Sequence, residues 1–469
     1  MKFDREELRK LSKDQLIDIT LELAEKVDQL TRRIDELERA AARSAAPFSK
    51  GKGKKNKKRP GRKKGQGAFG RRKEPEIRPS DTIENVKAPL KSKICPECGE
   101  AMDIEVEVAT TIDVPEEPER KITRFEVEAG VCPKCGKRVR GEHPDLPRDQ
   151  HGATAHRVGD RLVGRVLAMH YHGGMSLRKA AESSGILTGI EITQSAVTQR
   201  AKKHCKTGGR LNGIYLGLCE GVREAAVVNT DDTGWRTGGK SSYLMGFFTP
   251  TLAVYQVRNR HRHEEVLEML GEMFAGILGT DRGPSYEAEA LDAKLQQKCL
   301  SHLLKNLREV EKSKQGRAKC FTRKLMKILR SGLQVWQEYR AGKIGLSRFR
   351  RRGRKLKKEL DHHLRDRILS DEDNQRMLDG IGWQHDKGRV FLFLDIPEVE
   401  PTNNRAERGL RPAIIARKVS QCSKNETGAR IFETMKSITA TLVLRGVNVA
   451  AGLAAMMKGA PMPEGQAGR

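Results

Sequence analysis

The chain has 469 residues, enough for several domains with buried cores, and 37% of them are hydrophobic. Lys and Arg total 90 against 62 Asp and Glu, a net charge of +28; this points to a polyanionic partner, DNA or RNA first, with an anionic membrane surface the weaker candidate. The charged first thirty residues exclude a secretory signal and the apolar stretch 449–457 is too short for a bilayer, so a soluble, intracellular protein without a membrane partner is expected.

Residues 1–43 are expected to form a dimerising coiled coil, as one helix over 5–42. Leu16, Leu23, Leu30 and Leu37 recur every seventh residue, and Lys13, Thr20, Val27 and Ile34 occupy the companion seam position. Leucine at one seam position with β-branched residues at the other favours two parallel strands; the plainer alternative is an amphipathic helix packed on its own domain. Residues 44–80 hold thirteen Lys or Arg between positions 50 and 73 and no acid there. Such a segment cannot bury apolar surface and is expected to be a disordered arm. Within it Lys57, Lys58, Arg59, Arg62, Lys63 and Lys64 read as DNA contacts along phosphates or in a minor groove, against the plainer reading of a solvated linker.

Residues 81–145 contain two CPxCG segments, giving Cys95, Cys98, Cys132 and Cys135. In each, the glycine after the second cysteine frees backbone amides to point at sulfur, and four thiolates suit structural zinc in a ribbon with strands over 104–114 and 122–128. The other five cysteines are scattered, which fits a reducing compartment rather than a disulfide framework. Residues 150–208 read as helix-turn-helix: a helix at 163–171, then SLRKAAESSGI, a glycine turn, and ITQSAVTQRAKKH opened by Thr193 or Ser195. A helical bundle joining two domains is the alternative.

From residue 220 strands take over, and 220–315 is expected to be the first part of a ribonuclease-H-like core. Strands are predicted over 225–229, 243–249, 252–257 and 276–279, with helices over 263–274 and 287–297, a short strand at 298–300 and a helix from His302. Asp231 and Asp281 then stand at strand ends, where ligands collect in such sheets. Singly each would be a turn residue; together they can share divalent ions. Residues 316–390 read as a basic helical insertion that lies on DNA, with eight Lys or Arg between 348 and 358. Residues 391–469 return to the core and end in helices. There PTNNRAERGLRPAIIARK (401–418) puts Asn404 at a helix start and Glu407 three residues on, a capping-box pattern. Arg405, Arg408, Arg411, Arg417 and Lys418 make the segment a phosphate-binding environment, which favours Glu407 as a third acid.

The segments NTDDTGW, GTDRGPSYEA, CLSHLLKNL and PTNNRAERGLRPAIIARK, in that order, resemble transposases of the insertion sequence 66 family. The upstream order of zipper, basic arm, CPxC pair and helix-turn-helix is similar to that family's as well. The resemblance implies a multidomain α+β chain with a three-acid, integrase-type core that uses magnesium or manganese to cut and join DNA. On matching positions the acids are Asp231, Asp281 and Glu407, and His302 has a supporting role. The family commonly has Asp-Glu-Thr at the first acid; here it is Asp231-Asp232-Thr233, so Asp232 stays open as the ligand. The implied partners are DNA at element ends and targets, a second copy or higher oligomer, and accessory element-encoded proteins, in a bacterial cytoplasm at the nucleoid. A decayed DNA-binding regulator and a nuclease that cuts without joining are the alternatives.

Overall fold

The computed structural model describes residues 12–43, 120–123, 126, 128–140, 158–365 and 368–465. Lys57, Lys58, Arg59, Arg62, Lys63, Lys64, Cys95 and Cys98 lie outside the described residues, as does the expected strand at 104–114. The chain divides into two units, Met1–Asp113 and Val114–Arg469. Among the described residues no helix is long and apolar enough to cross a membrane.

In the first unit lies α1 (Lys13–Arg43); residues 5–11 of the helix expected over 5–42 lie outside the described residues. Ser12 and Gln15 cap its start reciprocally, each side chain accepting from the other's backbone N–H. The seam residues Leu23, Val27 and Leu30 are 45%, 61% and 63% exposed.

The second unit opens with a hairpin, β1 (Ala129–Val131) and β2 (Arg138–Arg140), paired antiparallel. The knuckle between them is closed by Cys132 N–H on the Lys137 carbonyl and Gly136 N–H on the Cys132 carbonyl, both 2.9 Å. Gly136 takes φ +67°, open to a residue without a side chain. So tight a turn pairs only the residues beside it. Of the strand expected over 122–128, residues 122, 123, 126 and 128 are described and carry no strand pairing; the others lie outside the described residues.

Four helices follow: α2 (Asp160–Tyr171), α3 (Leu177–Thr188), α4 (Gln194–Cys205) and α5 (Arg210–Arg223). Gly189 ends α3 in the left-handed conformation, and the Thr193 hydroxyl caps α4 by accepting from Ala196 N–H. The sheet that follows comprises β3 (Val227–Thr237), β4 (Lys240–Phe248), β5 (Ala253–Arg258), β6 (Ile277–Thr280) and β7 (Gln296–Lys298), ordered β5-β4-β3-β6-β7. Pairing is antiparallel across β5-β4-β3 and parallel across β3-β6-β7. Around it lie α6 (His263–Leu270), α7 (Leu300–Lys312), α8 (Ala318–Arg340), α9 (Leu346–Leu364), α10 (Glu372–Asp386), α11 (Asn404–Ser420), α12 (Glu426–Leu444) and α13 (Val449–Lys458).

Side chains alternate along the central strands and divide the core by face. Met245, Phe247 and Val254 join the helices of 158–223 and α12–α13 in one cluster. Leu244, Phe248, Tyr255 and Val257 face α11 through Ala406, Leu410 and Ala413. A third cluster holds α7–α10 together and reaches the sheet at Ile277. The edge strand β5 does not meet solvent with bare amides. Its Ala253, Tyr255 and Val257 N–H groups donate to Thr441 Oγ1, Ser437 Oγ and Glu433 Oε1 of α12. Acceptors four apart on a helix rise about 6 Å and alternate strand residues about 6.8 Å, so the two repeats match.

Three sequence expectations change. The strand expected over 225–229 runs on to Thr237, because β4 pairs with it throughout. The helix expected over 263–274 stops at Leu270, where Gly271 turns to φ +79°. The helix expected over 287–297 is replaced by the short turns Pro284–Tyr286 and Glu289–Leu291 and then β7. Parallel pairing of Gln296–Lys298 with β6 outweighs the helix-forming composition.

Candidate active site

The parallel pairing of β3 with β6 runs Val227 with Ile277, Val228 with Leu278 and Asn229 with Gly279. Two residues further in this register, Asp231 is level with Asp281. Asp231 is thus inside a long strand, not at its end as the sequence suggested, but just where β3 loses its parallel neighbour. Asp281 follows β6 and accepts from Gly283 N–H at 2.8 Å, which fixes its carboxylate at the turn.

Glu407 arrives from α11. Its helix begins at Asn404, with Asn403 in the capping position and no side-chain cap, so the capping box that was the plainer alternative does not form and Glu407 is the fourth helical residue. Asn403 has another task. Its Nδ2 donates to the Thr230 carbonyl at 2.8 Å, its Oδ1 accepts from Asn229 Nδ2 at 3.0 Å, and its backbone N–H donates to Cys299 Sγ at 3.1 Å. Asn229 in turn lies so close to Gly279 that a Cβ there would meet its Nδ2 at 2.3 Å. One buried residue thus ties α11 to β3 through its side chain and to the start of α7 through its backbone. The sequence reading missed Asn403; the signal was the Asn-Asn doublet, of which it took the second residue as the cap.

Electrostatics link the acids. The Asp231 carboxyl is pushed up to about 7, by burial first, then by Asp281, with Asp232 and Glu407 adding; its bond from Asp232 N–H opposes this. Asp232 is also raised by burial, but its neighbour is His261, 3.4 Å away, whose attraction lowers it again. Asp231, not Asp232, feels all three other acids. Behind Asp281 lies Lys298, fully buried, donating to Thr280 Oγ1 at 3.1 Å and pushed down to about 8 by burial.

His302 sits 3.7 Å from Glu407 Oε1 through Nε2, with the two side chains 39% and 43% exposed. The ring is pushed up to about 9, with the Cys299 sulfur, as an acceptor facing it, the main cause, and Glu407 and Asp281 adding; burial opposes. That acceptor contact is incomplete, because the buried Nδ1 has no partner at hydrogen-bonding distance. Among the described residues one set of three metal-ligating groups lies within 4.8 Å, and it is Cys299, His302 and Glu407. Asp231, Asp281 and Glu407 stand further apart than that as a set.

The basic side chains of α11 divide in two. Arg405 is held by Glu400 and by the Thr249 carbonyl, and Arg417 by Thr233 Oγ1 and the Gly234 carbonyl. Arg408, Arg411 and Lys418 make no such bond among the described residues, and on α9 the exposed Arg350, Arg351, Arg354, Lys355 and Lys358 make none either. In the second knuckle Cys132 is half-buried and Cys135 exposed.

No curated protein matches this chain as a relative. A family model described as Transposase IS66 family matches residues 156–431, and so takes in the helices from α2 through α11, the whole sheet, the acids and Asn403. That is well over half of the sequence, and the chain therefore belongs to the Transposase IS66 family, with the role in DNA transposition that membership carries.

Proposed function

We propose that the protein is a DNA transposase whose Asp231, Asp281 and Glu407 jointly hold two magnesium or manganese ions at the ends of an insertion sequence. The observation that carries this is the register of β3 and β6, which sets Asp231 level with Asp281, while Glu407 on α11 is near enough to help raise the Asp231 carboxyl. Carboxylates that repel one another at a partly buried site are a hard oxygen donor set, which fits divalent magnesium or manganese. Such ions, when bound, activate the attacking oxygen and stabilise the leaving one in cleavage and strand transfer. The chain's own part is to fix the carboxylates: Asp231 by the strand pairing, Asp281 by its turn, Glu407 through Asn403. The strand order, three antiparallel strands followed by two parallel ones, supports a ribonuclease-H-like core.

Around this centre, α2–α4 supply a helix-turn-helix, with Gln194, Ser195, Thr198 and Gln199 exposed along the second helix of the turn. The unpaired cations of α9 and α11 are suited to backbone phosphates. Zinc held by Cys95, Cys98, Cys132 and Cys135 would complete the ribbon, and α1 a dimer. The site of action is the bacterial cytoplasm, at the nucleoid. The test is Glu407→Gln, which keeps size and loses charge. Cleavage of an end-bearing DNA is expected to fall by a factor of about 100 or more while DNA binding survives, since removing one metal-ligand charge removes several kcal/mol of transition-state stabilisation. Cutting and joining at the parent rate by that variant would dispose of the assignment.

A further inference from the structure

We propose that Cys299, His302 and Glu407 form a second metal site, for a thiophilic divalent ion of the zinc type, which shares Glu407 with the magnesium or manganese pair. The ligating atoms of these three side chains lie within 4.8 Å of one another. Around a tetrahedral zinc, neighbouring sulfur, nitrogen and oxygen ligands lie about 3.3–3.8 Å apart. The His302–Glu407 separation of 3.7 Å is already there, and rotation of exposed side chains closes the rest.

The donor set selects the ion. Magnesium and manganese take carboxylate and water oxygen; a thiol and an imidazole are poor ligands for them and good ones for zinc. Cys299 and His302 are also set as ligands usually are. The cysteine is 2% exposed at the first residue before α7, its sulfur accepting from Asn403 N–H. His302, one helical turn on, faces the same side and has a buried ring nitrogen without a partner. Three protein ligands leave the fourth position open to water or a DNA oxygen.

The existence of this site is independent of the reading of Glu407 as a catalytic ligand; its sharing rests on that reading. If both hold, zinc draws Glu407 away from Asp231 and Asp281, and the two kinds of ion exclude each other.

Zinc bound per chain, measured by elemental analysis after equilibrium dialysis of the full-length protein, decides the matter. The wild type is expected to hold one zinc more than Cys299→Ser, and one more than His302→Gln, whatever the knuckle cysteines bind. His302 is half-exposed, so its variant keeps the test valid should the cysteine variant fold poorly. Equal zinc in all three proteins overturns the site. Manganese then tests the sharing, followed by the electron paramagnetic resonance of the free ion: filling the site with zinc should release bound manganese from the wild type. Zinc uptake that leaves manganese in place overturns the sharing. A zinc-free protein that binds no manganese at all would instead defeat the proposed magnesium or manganese centre, and the zinc count would still decide the new site.

Discussion

Asn403 is the residue on which the geometry of the acids turns. It is 1% exposed and bonded to Asn229, Thr230 and Cys299, so it sets how far Glu407 stands from the strand that carries Asp231. Asn403→Ala strands the Asn229 amide and the Thr230 carbonyl in the interior. A loss of about 2–3 kcal/mol is expected in denaturant unfolding. Lost stability alone would leave the metal requirement unchanged, whereas lost positioning should raise the manganese concentration for half-maximal cleavage several-fold. An unaltered metal titration in a folded variant would reduce Asn403 to packing. Asp231 makes a pH prediction. Its folded proton affinity, about 7, lies above that of an unfolded aspartate, so its contribution to stability is full below about pH 4 and fades as pH rises through about 7. The metal-free protein should therefore lose melting temperature between about pH 4 and pH 7, and Asp231→Asn should flatten the decline. Parallel profiles for the two proteins would refute the repulsion argument. Divalent ions should shrink the decline in the wild type.

At the level of the element, the helix α1 carries the next prediction. Leu23, Val27 and Leu30 lie open along one helix, too many large apolar groups for water to keep. Leu23→Lys together with Leu30→Lys should move the protein toward monomer in analytical ultracentrifugation; an unchanged mass would show that association lies elsewhere. Elements whose apolar pattern is strong were legible in the sequence: the heptad helix, the three helices from α2 to α4, and the antiparallel hairpin β4–β5. Those fixed by partners far along the chain were not. Gln296, Gln297 and Lys298 are polar and belong to a helix-forming stretch, yet they are buried as a strand because β6 offers its edge and Lys298 N–H finds the Arg389 carbonyl. The carboxylates were nameable from the motifs that hold them. Asn403 was not, since nothing local tells an asparagine that caps its helix from one that reaches across to another strand.

Across the whole molecule the net charge of +28 dominates. Affinity for DNA should fall with salt at a slope of roughly −0.9 per phosphate neutralised. Removing residues 50–73 should flatten that slope and spare the preference for element ends, because phosphate contacts position a protein and base contacts specify it. A preference that disappears with the arm would take sequence reading away from α4. The α12 side chains on β5 have a consequence for assembly. Thr441, Ser437 and Glu433 occupy the amides that a new strand would need, and at the far side of the sheet Lys298 N–H is bonded to the Arg389 carbonyl. A sheet so finished at both borders offers no template for strand addition, whether by an extended peptide, an exchanged segment or an amyloid-like stack. The five-stranded sheet is thereby kept from serving as a seam through which copies of a highly charged chain could polymerise.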